Sequence, residues 1–170
     1  MRQEHAYTLP ELLCSLAIIS LLVSFAAPAL SQWLAQHRVQ VVADELGHAL
    51  FETRSYAVFD LTPTSLIARD GDWGNGWAIV HDQQNLGHRA KELTPLVVHE
   101  PLVGVQVFAD RTTQHYVHYL PRGNSVQPNG AFHAGSLRIC GDAPIAYKLV
   151  INLTGRIRQE RHAREALCQR

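Results

Sequence analysis

The side chains best equipped for chemistry lie at the C-terminal end. From residue 148 onward stand six basic residues (Lys148, Arg156, Arg158, Arg161, Arg164 and Arg170) against two acidic ones, Glu160 and Glu165, a net charge of +4. Over the whole chain fifteen Lys+Arg balance fifteen Asp+Glu. The compensating deficit sits in residues 1–100, with six basic and eleven acidic residues, net −5; residues 101–147 carry three and two, net +1. A basic end on a neutral protein points to contact with a polyanion, although a solvated terminus would show the same charge. Arginine is the residue type that suits phosphate, because its planar fork of N–H donors matches the anion's oxygens. A strand over Ile145–Asn152 runs into the turn Leu153-Thr154-Gly155, followed by Arg156-Ile157-Arg158. If the chain leaves that turn extended, Arg156 and Arg158 share one face and Ile157 takes the other. Arg161 and Arg164 follow at helical spacing.

Other chemistry is thinly represented. Ten histidines invite a metal reading. The spacings of His81, His88, His115, His118 and His133 match no ligand pattern tied to cysteines. His115 and His118 on a strand would point to opposite faces. Neither a metal nor a cofactor is expected. The sequence has no Gly-rich phosphate loop, nucleophile elbow or paired-carboxylate signature, so no enzyme is expected either. Trp73 and Trp77 flank Gly74-Asn75-Gly76. Two tryptophans beside a turn are conceivable as a base-stacking platform, but packing is the favoured reading.

Length and hydrophobic pattern define the elements that must carry these residues. A chain of 170 residues and 19.0 kDa is one ordinary domain. Its zero net charge excludes a wholly basic coat protein for nucleic acid and an acidic disordered tail protein. Three cysteines are too few for a disulfide scaffold. Leu12–Leu30 is nineteen residues without a charge, roughly 28 Å of helix and close to the thickness of a bilayer core. It reads as a retained membrane helix rather than a cleaved secretory signal, because the apolar register continues beyond it. Pro28 should kink or loosen it locally. Val39, Val42, Leu46, Ala49, Leu50, Thr53 and Ala57 then recur at three- and four-residue spacing, one face of an amphipathic helix. Residues from about 8 to about 58 therefore read as one long helix. Beyond Pro63 the period changes, and strands are expected near Ser65–Arg69, Gly76–His81, Val103–Ala109, His115–Leu120, Ser136–Cys140 and Ile145–Asn152. Helix first and neighbouring strands after it mean an α+β fold with an antiparallel sheet, covered by the amphipathic half of the helix. If the β-domain lies outside the cytoplasm, as an N-terminal membrane anchor implies, Cys140 and Cys168 can pair. Cys14, in the lipid-facing helix, should stay free.

One acid stands at the edge of the apolar run. Glu11 is expensive in lipid and so marks function, and its natural partner is a positive charge. A cut after Ala6 would supply one as the new amine of Tyr7. The arrangement resembles the class III signal of type IV pilins and pseudopilins: a short leader (Met1–Ala6), a small residue before the cut (Ala6), an aromatic first mature residue (Tyr7) and a glutamate at the fifth (Glu11). The family usually has Gly and Phe where this chain has Ala6 and Tyr7. The segments ALFETRSYAV, DWGNGWAIVHD, GSLRIC and TGRIR resemble landmarks of GspH/FimT-type minor pilins and pseudopilins more narrowly. The resemblance implies a lollipop fold. Its parts are a leader at 1–6, a transmembrane and filament-core helix at 7–30, an amphipathic helix half at 31–58, and a globular β-domain with a basic tail at 59–170. It further implies a prepilin peptidase that cuts the leader and methylates Tyr7, and a single inner-membrane pass with a periplasmic C-terminal domain. Other major and minor pilins are the implied assembly partners, with Glu11 needed for filament entry. Gly155-Arg156-Ile157-Arg158 matches the GRxR motif of the FimT branch, where it belongs to a DNA-binding tail used in natural transformation. On that resemblance Lys148, Gly155, Arg156, Arg158, Arg161 and Arg164 are expected to contact double-stranded DNA independently of sequence. Two alternatives share the N-terminus and the fold: a structural minor pilin of the tip complex that primes the pilus, and a GspH-type pseudopilin of type II secretion.

The intact mass of the purified protein should correspond to a chain starting at methylated Tyr7. Glu11→Ala should be cut normally yet fail to enter filaments. A mature N-terminus beyond Ala26 would instead identify an ordinary secretory signal.

Overall fold

The structure, a computed structural model, describes residues 9–169, so Ala6 and Tyr7 lie outside the described residues. The chain divides into two compact units, Met1–Leu34 and Ala35–Arg170. A 51-residue helix α1, Leu9–Phe59, begins in the first and ends in the second, with Pro28 inside it. Through residue 34 every described side chain is exposed, and the most apolar 18-residue window has a mean hydropathy of 2.3. Such a stretch is long and apolar enough to cross a membrane. Its serines turn inward on the backbone: Ser15, Ser20, Ser24 and Ser31 donate to carbonyls three or four residues earlier. That satisfies each hydroxyl without water. Glu11 occupies the first turn, where a negative charge suits the exposed N–H groups.

In the second unit the helix becomes a core element. Val39, Val42, Ala43, Leu46, Ala49, Leu50, Thr53 and Ala57 are buried, which is the expected stripe with Ala43 added. Thr53 hides its hydroxyl by donating to the Ala49 carbonyl at 2.6 Å.

Eight strands follow: β1 (Thr64–Ala68), β2 (Trp77–His81), β3 (Pro95–Val98), β4 (Val105–Ala109), β5 (Tyr116–Tyr119), β6 (Gly135–Gly141), β7 (Ile145–Ile151) and β8 (Ile157–Ala163), before a one-turn helix α2 (Arg164–Leu167). They form two four-stranded sheets rather than one, ordered β3-β2-β1-β5 and β4-β6-β7-β8, with every pairing antiparallel. Both sheets give their inner faces to one core with the helix: Leu66, Ile79 and Val117 from the first, Leu137, Ile139 and Leu149 from the second, around Leu46 and Leu50. The first sheet is also covered on its outer face, where Ile67, Ala78 and Val80 meet Leu86, Ala90 and Leu93. This double covering explains why all five residues of β1 are buried and why its sequence does not alternate.

A polar cluster ties that cover down. Ser65 Oγ donates to Asp82 Oδ2 at 2.8 Å and lies 2.8 Å from His118 Nδ1. Because the serine proton is committed to Asp82, His118 Nδ1 must be the donor to Ser65. Asp82 also accepts from the Leu86 backbone N–H at 2.9 Å. Burial by itself would raise the Asp82 pKa, but the His118 imidazole 3.6 Å away and the hydrogen bonds from Leu86 and Ser65 outweigh it and hold the carboxyl below its ordinary value. Serine, histidine and aspartate thus meet, yet Ser65 is fully buried and His118 is 1% exposed, so no substrate reaches the hydroxyl. The cluster fastens the loop after β2.

The disulfide joins Cys140, in β6, to Cys168, just past α2, with Cα atoms 6.0 Å apart. Cys14 is free and exposed. Closing a 28-residue separation contributes about 3–4 kcal/mol in the chain-entropy account. Since Leu46 and Leu50 are fully buried, Leu46→Ala or Leu50→Ala should cost about 2–5 kcal/mol. Denaturant unfolding of the Ala35–Arg170 unit measures this, and a loss below 1 kcal/mol for both would refute the shared core.

Candidate nucleic-acid interface

The basic tail is a hairpin. Strand β7 turns back into β8 through Asn152-Leu153-Thr154-Gly155, and the turn is tightly specified. The Asn152 side-chain oxygen accepts from Thr154 N (3.0 Å), Thr154 Oγ1 (2.8 Å) and Arg156 N (2.8 Å). The Gly155 N–H donates to the Asn152 carbonyl, and Asn152 N to that of Arg156. Gly155 has φ +76°, and a Cβ there would sit 2.3 Å from the Gly123 carbonyl oxygen and 3.0 Å from the Tyr119 ring. Both the backbone sign and the space demand glycine. Its place in the motif is therefore structural: it presses the hairpin onto the loop after β5 and fixes where Arg156 emerges.

Register then assigns the faces. Ile151 pairs with Ile157, Val150 with Arg158, Leu149 with Gln159, Lys148 with Glu160 and Tyr147 with Arg161. Leu149, Ile151 and Ile157 belong to the core side. Lys148, Arg158, Glu160 and His162 therefore occupy the outer face, and Arg156 and Arg158 line one shallow cleft with Val150 and Asn152. Arg156 and Arg158 share a face, as extended backbone requires.

Arg161 and Arg164 are not part of that group. Residue 161 lies in β8, not in a helix, and the helical spacing expected for the pair is corrected by the seven-residue ladder with β7. Pairing with a neighbouring strand overrides the weak local pattern. Arg161 instead reaches the opposite face and lies 5.9 Å over the Tyr147 ring. Arg164 opens α2 and pairs with Asp142 at 3.2 Å. The end of the chain is held by the disulfide and by Arg138, which donates to the Leu167 carbonyl at 3.2 Å.

Counter-charges complete the electrostatics. Arg158 pairs with Glu160, which also takes His162 at 3.2 Å. His162 first and Arg158 second draw the Glu160 carboxyl below the usual carboxylate range. Arg156 is exposed and has no carboxylate partner among the described residues. Glu160 as a partner was legible only once β8 was a strand, since i and i+2 share a face there and not on a helix.

Elsewhere the candidates are structural. Trp73 is buried and donates from Nε1 to the Thr113 carbonyl at 3.0 Å. Trp77 is buried and stacks on His99 with centroids 3.9 Å apart. Neither presents a face to a base. Among the described residues no group of three His, Cys, Asp or Glu side chains is placed to hold a metal ion.

Residues 42–155 match the family described as type II transport protein GspH. Among curated proteins no sequence match is found. The fold is similar to that of the type IV minor pilin FimU of Pseudomonas aeruginosa: 22% identity over 74% of this chain and 90% of that one in one crystal form, TM-score 0.57. A second crystal form gives 24% identity over 71% and 91%, with a TM-score of 0.55. It is also similar to the minor pseudopilin EpsH of the Vibrio cholerae type 2 secretion system, with 11% identity over 72% and 96% and a TM-score of 0.51.

Gly155→Ala should destabilise the domain by about 1–3 kcal/mol from the strained φ alone, and further from the clash with Gly123. Gly130→Ala is the control, since its φ is +80° but its added Cβ would meet nothing within 4 Å. Melting curves should place Gly155→Ala clearly below Gly130→Ala. Equal melting would show that the close approach to Gly123 is unimportant.

Proposed function

The chain belongs to the GspH family as a minor pilin or pseudopilin, and we propose that it binds incoming double-stranded DNA through the outer face of the β7–β8 hairpin, for natural transformation. The leader is cut after Ala6 by a prepilin peptidase, which also methylates Tyr7. Helix α1 anchors the protein in the inner membrane before it joins other pilins in the filament, with the β-domain on the periplasmic side. Glu11 serves that assembly.

The observation that carries this reading is the arginine pair itself. Arg156 and Arg158 emerge on one side of a turn whose backbone is fixed by Asn152 and Gly155, and Lys148 continues that face. Ordering entropy that a loose tail would lose on binding has already been spent in folding. The Arg158–Glu160 pair lies at the surface, where ion pairs are worth little, so a phosphate can displace the carboxylate. Arg161 and Arg164 lie apart from this face and contribute at most long-range attraction. Contacts go to phosphates and read no bases, which gives weak binding of about micromolar affinity or poorer. Several subunits along one filament would raise the avidity.

Gel shifts of the full chain in neutral detergent across a salt series provide the test. With Lys148, Arg156 and Arg158 engaged, log affinity against log salt should slope at about −2 to −3. Arg156→Gln with Arg158→Gln should weaken binding to all sequences alike and flatten the slope by about two. Glu160→Gln should strengthen binding by releasing Arg158. Pili should still assemble in the double variant while transformation falls. If the double variant binds DNA normally but loses pili, the protein is a structural minor pilin and its arginines serve subunit contacts.

A further inference from the structure

A second groove runs along the other side of Arg156. It lies between the Ala35–Phe59 part of α1 and strand β8, has a volume of about 500 Å³, and is lined by Gly47, Phe51, Arg54, Leu149, Arg156 and Ile157. Leu149 and Ile157 belong to or pack on the core and form its apolar floor. Gly47 adds no side chain to that floor, and a Cβ there would make ordinary contact with Gln159 and Leu149 at 3.6 Å. Phe51 stands at the groove 58% exposed, an aromatic ring largely open to water.

Charge is distributed unevenly within the groove. At one end Asp44 also lines it, but its carboxylate already accepts from Gln159 Nε2 at 2.9 Å. At the other end, ten residues and roughly 15 Å along the helix, stands Arg54. Its Nε donates to the Gly123 carbonyl at 2.8 Å, which fixes the guanidinium. Close by, the buried Tyr119 hydroxyl has no hydrogen-bond partner among the described residues and feels the Arg54 charge. Arg158 and Arg164 have carboxylate partners. Arg54 and Arg156 have none among the described residues, and both face this groove. Two guanidiniums without counter-charge beside one apolar floor form a site for a single anion with an apolar neighbour.

We propose that the groove takes a phosphodiester of the bound DNA, with the phosphate held between Arg54 and Arg156 and the adjoining sugar or unpaired base against Phe51. This rests on the DNA reading and extends it from the hairpin onto helix α1. The aromatic ring adds a preference that phosphate contacts alone lack. Stacking on a side chain requires an unstacked base, so single strands and frayed duplex ends gain more than intact duplex.

Fluorescence anisotropy of the full chain in neutral detergent, with an oligothymidine and with a blunt duplex of equal length as probes, tests the proposal. Phe51→Ala should lower single-strand affinity by about five- to tenfold and duplex affinity by less. Arg54→Gln should weaken both and flatten the salt slope by about one. Melting curves check that Arg54→Gln still folds; Phe51 is exposed, so its variant carries the test even if Arg54→Gln does not. Binding of both variants at wild-type strength, with loss confined to Arg156→Gln and Arg158→Gln, would overturn the groove while leaving the hairpin reading intact. Failure of the wild-type chain to bind either probe would overturn both. Self-association abolished by Phe51→Ala, with DNA affinity unchanged, would assign the groove to a second copy of the chain and overturn the proposal as well.

Discussion

Two sheets and one helix share a single dry interior, and the position of every strand depends on that sharing. The stripe from Val39 to Ala57 is a single face of the helix, yet it packs in one core with the inner faces of both sheets. Each sheet buries its inner face in that shared core, so sheets and helix depend on one another for burial. The same stripe sets where β8 runs. Ile157 packs toward the core while Gln159 reaches across to Asp44 on the helix, which turns the alternate residues, Arg158 among them, outward. The hairpin's charged face thus follows from the demand for burial on its opposite side.

The basic surface is sorted by what neutralises it. Total charge counts six basic side chains after residue 147, but position gives them different roles. Arg164 secures α2 to Asp142 and Arg161 lies over an aromatic ring, while Arg138, earlier in the chain on β6, holds the carbonyl of Leu167. These cations are structural, with partners in place. Arg156 has no carboxylate partner among the described residues, and Arg54, just over a hundred residues earlier in the chain, is its counterpart on the helix. An uncompensated cation held in place by neighbouring hydrogen bonds retains more of its attraction for an outside anion than one already paired.

Much of the fold was legible in the residues because period and burial agreed. The long helix shows a period near 3.6, and its buried positions from Val39 to Ala57 were read correctly except for Ala43. Six strands were found with their ends displaced by a residue or two. Two strands were not, for separate physical reasons. Strand β3 is a four-residue edge strand, mostly exposed and starting at Pro95, so it shows no alternation and opens on a residue that argues against a strand. Strand β8 carries charges at 158, 160 and 161, and its extended shape comes from the ladder with β7. The split into two sheets was hidden because β1 is buried on both faces. Of the candidate interface, the shared face of Arg156 and Arg158 was readable from a period of two. The carboxylate beside Arg158 and the contribution of Arg54 needed the third dimension, since nothing local links residue 54 to residue 156.

The bond between Cys140 and Cys168 has a mechanical side. It spans β7, the turn, β8 and α2, so the whole hairpin lies within a covalent ring. An edge strand is ordinarily the easiest part of a sheet to peel, because only one ladder of hydrogen bonds restrains it. Here a pull on the hairpin tip can open that ladder only as far as the ring has slack, and the tension then passes through sulfur into β6, an inner strand. Any load on the hairpin is thereby carried into the interior of its sheet, and the weakest ladder is never the last restraint.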